Sequence, residues 1–161
     1  MQILKRTGRV YGPFFFNNLT VKYPEYLYKL KNELLPRFEE PDYVFMQDGA
    51  RPHFSLVVRE YLNEQLTDRW IGRATAADSA VILWPPRSPD LTPLDFFLWG
   101  FVKGKVYKPP LPKTIQELKQ RITLAVALVT PEMLQKVWEN MTRRLKKTIE
   151  VKGRHFENLK F

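Results

Sequence analysis

Residues 81–97 read VILWPPRSPDLTPLDFF. Val81–Trp84 is a short apolar run that predicts a buried strand. Prolines at 85, 86, 89 and 93 then punctuate a loop, and a helix is expected to start near Leu94. Asp95 falls in its first turn, where a carboxylate meets the positive end of the helix dipole. Phe96, Phe97, Leu98, Trp99, Phe101 and Val102 cover most of the helix circumference, which predicts burial. Upstream, Tyr43–Gln47 (YVFMQ) is a second apolar run with a polar end, followed by Asp48-Gly49. Between the two runs, Phe54–Leu66 has helical spacing through Phe54, Val57, Val58, Tyr61, Leu62 and Leu66, and residues 73–80 form a small polar loop.

Further out, Val10–Phe16 reads as a strand bent at Gly12-Pro13. Pro24 opens a helical stretch with Tyr26, Leu27, Leu30, Leu34 and Leu35 on one face, and Pro36 ends it. Toward the C-terminus, Thr114-x-x-Glu117 is a capping box for a helix over 115–128. Thr130-Pro131-Glu132 supplies an N-cap, a proline at the first helical position and an early acid for a helix over 131–148. The order strand, helix, strand, helix, strand, then helices argues for an α/β fold with buried parallel strands.

Composition narrows the chemistry. The 161 residues suggest one domain, with 44% hydrophobic residues to build its core. The absence of cysteine excludes disulfides and thiolate metal sites, and two histidines argue against a histidine-rich zinc site. A metal would be held by carboxylates, which suits Mg²⁺ or Mn²⁺. No apolar run approaches the ~20 residues of a membrane span, and the N-terminus has no apolar signal core, so the reading is a soluble intracellular protein without a membrane partner. The net charge of +9 is confined to residues 101–161, with 14 Lys+Arg against 5 Asp+Glu; residues 1–100 carry 12 of each. Such a surface favours a polyanion, most often nucleic acid, or is simply a solvated lysine-rich face.

Asp48 and Asp95 are the acids singled out. Each lies beyond a strand, where ligand sites of open α/β sheets gather. Two carboxylates meeting there would need a divalent cation between them, as in metal-assisted phosphoryl transfer. By residue pattern alone, the commoner roles are a turn former for Asp48 and a helix cap for Asp95.

The strings themselves say more. Gln47-Asp48-Gly49-Ala50-Arg51-Pro52-His53 resembles the segment around the second catalytic acid of Tc1/mariner DNA transposases, and Trp84–Asp95 resembles the segment around the third. The third acid corresponds to Asp95, an aspartate that points to the mariner side, and Asp90 reads as a loop-structuring residue. Tyr11–Phe16, Arg69–Arg73 and Gly153–Phe156 are also mariner-like. The resemblance implies a ribonuclease-H-like (DDE integrase/transposase) fold. It also implies three acids binding two Mg²⁺ or Mn²⁺ ions, DNA strand cleavage and transfer at transposon ends, and a nuclear location. DNA is the implied partner, with a homodimer or a full-length transposase as further partners. Catalytic and metal-binding roles carry over to Asp48 and Asp95. Lys103, Lys105, Lys108, Arg143, Arg144, Lys146 and Lys147 are the DNA-binding candidates. His53 either contacts phosphate or an acid beside the metal, or braces the helix after Asp48; the structural role is favoured.

The family's first acid belongs to a strand upstream of the GPFFF segment, yet residues 1–9 contain no Asp or Glu. Glu39, Glu40 and Asp42 lie in a polar turn and are poor substitutes. The expectation is therefore a partial domain over 1–161, lacking the first, central strand and the helix-turn-helix DNA-binding domains, with marginal stability. On that reading the chain is inactive alone, metal binding by it is not expected, and the alternative is a transposase-derived DNA- or protein-binding module without nuclease activity. The 46 residues between Asp48 and Asp95 exceed the mariner spacing, an excess assigned to the loop near 74–80.

Overall fold

The computed structural model describes residues 3–5, 9–18, 20–38, 43–85 and 88–154. Glu39, Glu40, Asp42, Pro86, Arg87, His155 and Phe156 lie outside these. Two compact units emerge, one of residues 1–15 with 89–161 and one of residues 16–88.

In the 16–88 unit, α1 (Tyr23–Lys29) opens with Pro24 in its first turn, passes into a wide π-type turn over Leu30–Leu34 and ends in a 3-10 turn at Leu35–Arg37. The helical path runs one residue past Pro36, because that ring sits at the start of the short final turn, where no N–H is needed. Tyr26, Leu30 and Leu34 are buried, as their spacing predicts. The unit's sheet has three parallel strands in the order β3 (Phe45–Met46), β4 (Trp70–Gly72), β5 (Ile82–Leu83). Phe45 pairs with Trp70 and Met46 with Ile71; Ile71 pairs with Ile82 and Gly72 with Leu83. Helix α2 (Leu56–Gln65) connects β3 to β4 and buries Val58 and Leu62.

Two expectations need correction here. The strand at 70–72 has no counterpart in the sequence reading, yet it is the middle of the sheet. The run 81–83 is not buried: Val81, Ile82 and Leu83 are 51%, 52% and 55% exposed, because β5 is the sheet's edge, and only Trp84 turns inward.

The polar loop after β4 is tied down by one carboxylate. Asp78 accepts from the Thr75 amide (2.7 Å), the Thr75 hydroxyl (2.8 Å), Asn63 Nδ2 (3.0 Å) and Arg59. Burial pushes the Asp78 carboxyl up, but the Thr75 amide, Asn63, the Thr75 hydroxyl and Arg59 together pull it down to about 2. Its side chain is 5% exposed, so solvent screens little of this. A depressed folded-state pKa stabilises above the unfolded value of 3.8, and that contribution disappears as pH falls toward 2. Asp78→Ala is expected to cost about 2 kcal/mol near neutral pH. It should also flatten the acid-induced loss of stability between those two pH values, as urea melts at several pH values would reveal. An unchanged acid profile would contradict this assignment.

In the other unit, β1 (Ile3–Lys5) and β2 (Arg9–Tyr11) form an antiparallel pair with Ile3 opposite Tyr11. The strand expected over 10–16 stops at Tyr11. Gly12 adopts φ +115°, which turns the chain out of the extended path, and Pro13 has no N–H for a ladder. A 3-10 turn at Pro89–Leu91 and a wide π-type turn at Leu94–Leu98 lead into α3 (Trp99–Val106). Leu98, Val102 and Val106 form a core with Ala125 and Val126 of α4 (Ile115–Ala127). The Thr114 hydroxyl caps α4 through the Glu117 amide at 3.0 Å, and the Thr130 hydroxyl caps α5 (Pro131–Glu150) through the Met133 amide at 3.3 Å. Arg121 donates to the Val106 and Lys108 carbonyls, satisfying acceptors at the end of α3. Among the described residues no helix is long and apolar enough to cross a membrane.

Candidate active-site residues

Asp48 sits just beyond β3, in the 16–88 unit. Its Oδ1 accepts from the Ala50 amide at 2.9 Å, an Asx-type contact that spans Gly49. The same oxygen lies 2.6 Å from His53 Nδ1, in close contact although the two are not aligned as a hydrogen bond. His53 lowers the Asp48 pKa most, burial opposes it, and the Ala50 amide lowers it further. The carboxylate is therefore ionised at neutral pH. Its side chain is 44% exposed, and among the described residues no protein group engages Oδ2.

Two residues behind Asp48 escaped the sequence reading. Gln47, 5% exposed, accepts from the Tyr26 hydroxyl at 2.8 Å and donates to the His53 carbonyl at 3.2 Å. The Tyr26 ring packs on the His53 imidazole, with centroids 4.1 Å apart. Burial, and then the charge of Asp48, push the Tyr26 phenol far above its usual range, so it remains a donor. A signal was available: a lone glutamine ending an apolar run must find partners once buried. His53 thus touches Asp48 through its ring and is tied to Gln47 through its carbonyl, just before α2.

Asp95 lies in the other unit, exposed, in the wide turn Leu94–Leu98. Turns of this type are frequent at functional sites. Its amide donates to the Thr92 carbonyl at 2.8 Å. Asp90, five residues earlier, is buried, and its carbonyl accepts from Arg144 Nη1 at 3.0 Å. The Arg144 guanidinium also lies 4.2 Å over the Phe96 ring, so it braces the segment carrying Asp95. Lys103, Lys105, Lys108, Arg143 and Lys146 are exposed, and Lys147 pairs with Glu150 at 3.0 Å.

Among the described residues, no group of three or more potential metal ligands converges. Asp48 by itself suits a hard cation, being ionised and half-exposed, with one oxygen held and the other open.

The chain is 28% identical over 123 residues, 76% of its length, to the transposable element Tc3 transposase of Caenorhabditis elegans. It spans 33% of that relative, so about a third of its length. The fold matches a structure of the Mos1 transposase catalytic domain, solved with raltegravir and Mn, at a TM-score of 0.69. That match covers 97% of this chain and 76% of the other, with 22% identity. The chain is thus similar in sequence to one transposase and in fold to the catalytic domain of another. Its fold is accordingly of the ribonuclease-H type, mixed α/β with a small parallel sheet. No family model matches the chain. In this chain the two acids singled out from the sequence belong to different compact units, Asp48 to 16–88 and Asp95 to the other.

Proposed function

We propose that this chain serves a transposase-type reaction on DNA, with Asp48 and Asp95 as ligands to divalent cations. The observation that carries the reading is the state of Asp48: ionised, half-exposed, and fixed through one oxygen at the carboxyl end of a parallel strand. When bound, Mg²⁺ or Mn²⁺ would activate a nucleophile and stabilise the leaving oxygen of a phosphodiester. The protein's part is to aim the carboxylates. The Ala50 amide and His53 hold Asp48, while Gln47 and Tyr26 hold His53. Asp95 is carried by a helical turn braced by Arg144. The exposed cations Lys103, Lys105, Lys108, Arg143 and Lys146 supply electrostatic affinity for the DNA backbone. Relatives named as transposases support DNA as the partner, and a nuclear location follows from such a substrate.

Mn²⁺ titration followed by NMR tests this reading. Paramagnetic broadening should centre on Asp48, Gly49, Ala50 and His53 and on Asp95, and Asp48→Asn should remove the first set. Broadening spread evenly over surface carboxylates, or unaltered by Asp48→Asn, would reject it.

A further inference from the structure

We infer that Arg73 is a binding residue for a DNA backbone phosphate, beside the Asp48 carboxylate; the inference rests on the reading just given. The strand register supplies the placement. Phe45 lies opposite Trp70 and Met46 opposite Ile71, so continuing the ladder sets Asp48 level with Arg73 on the neighbouring strand. The approach there is close: a Cβ on Gly72 would stand 2.9 Å from Gln47 Cγ. An aspartate and an arginine so placed would ordinarily pair. Here they do not. Asp48 engages Ala50 and His53, and the Arg73 guanidinium lies 4.2 Å over the ring of Phe54, the residue after His53. On the same ring, Arg59 lies 4.9 Å from the centroid, but its charge is taken up by Asp78. Among the described residues Arg73 makes no hydrogen bond or ion pair.

The result is a guanidinium held in place by an aromatic ring, with all five N–H donors open, at the strand end that carries the acid. Fixing the cation by stacking lowers the ordering cost of bidentate phosphate binding. Keeping it off Asp48 leaves the carboxylate to a metal and the guanidinium to an anion. A phosphodiester presents both needs at once, an oxygen for the cation and a second oxygen for the arginine.

The test uses the full chain and a fluorescein-labelled DNA duplex, with affinity read by anisotropy over a range of salt. Arg73→Gln is expected to weaken binding about 3- to 10-fold at low salt and to reduce the slope of log K against log[salt] by about 0.9, one phosphate contact. Arg73→Lys should retain the slope and lose part of the affinity, because an ammonium keeps the charge without the stacked fork. Phe54→Leu should weaken binding by removing the ring that holds the Arg73 guanidinium. Lys136→Gln, an exposed charge on α5, should leave the slope unchanged. Arg73→Gln should melt close to the parent, because among the described residues Arg73 makes no hydrogen bond. If the parent binds and Arg73→Gln binds equally well, or if Lys136→Gln reproduces its loss, the inference is overturned while the proposed function stands. If the parent itself fails to bind at the lowest salt, the proposed DNA-directed function falls, and this inference with it.

Discussion

Trp70→Ala is expected to dismantle the 16–88 unit. The indole is fully buried in the middle strand of the parallel sheet, and its Nε1 donates to Asn63 Oδ1 at 3.2 Å. That oxygen also accepts from the Ser79 amide at 2.9 Å and the Ser79 hydroxyl at 3.1 Å. One side chain therefore links strand, helix α2 and the loop that follows. Truncating a buried tryptophan to alanine costs about 3–5 kcal/mol. Domains of this kind are stabilised by about 5–15 kcal/mol in all, so the loss is a large fraction of the whole. Hydrogen exchange provides the check. The Phe45 and Gln47 amides donate to Arg69 and Ile71 across the β3–β4 ladder, each at 2.9 Å. Both should lose protection together with α2, and with them the fixed position of Asp48. Protection preserved at those two amides would refute this account of the sheet.

Leu98→Ala should do comparable damage in the other unit. Leu98 is fully buried at the end of the turn that carries Asp95, packed with Val102, Val106, Ala125 and Val126. Leucine-to-alanine changes in such sites cost about 2–5 kcal/mol, the upper end applying where the cavity does not collapse. Helices on both sides of this site limit collapse. Amides over 94–106 and 115–127 should exchange faster, and thermal melting should shift down. A variant that melts with the parent would show that the α3–α4 contact does not hold the Asp95 segment.

Legibility in the sequence followed interaction range. The helices at 23–37, 56–65, 99–106, 115–127 and 131–150 were visible because their signals recur every three or four residues, and the last two also carry caps three residues away. The middle strand Trp70–Gly72 was not visible, because three residues cannot display an alternation and its flanking arginines resemble a loop. The run VILW was legible as a strand but not as an edge, since burial of an edge depends on what the rest of the chain places beside it. The β1 strand, three residues long, escaped for the same reason as β4. Asp78 looked like one polar residue among several until four donors were seen converging on it.

By itself the sequence determined which residues could bear chemistry: an acid after an apolar run at Asp48, an acid in a first helical turn at Asp95, and a basic segment over 101–161. These are properties of residues and their near neighbours. Tertiary structure decided what state those residues are in. It set Asp48 against His53, buried the Tyr26–Gln47 pair behind them, turned Arg144 inward onto Phe96, and left Arg73 stacked on Phe54 with no ion pair among the described residues. Each of those outcomes depends on groups brought together across 5 to 54 positions of chain, such as Asp48 with His53 and Asp90 with Arg144. The physical reason is that a side chain's charge, burial and hydrogen bonding are set by its three-dimensional neighbours, which only the packed chain specifies.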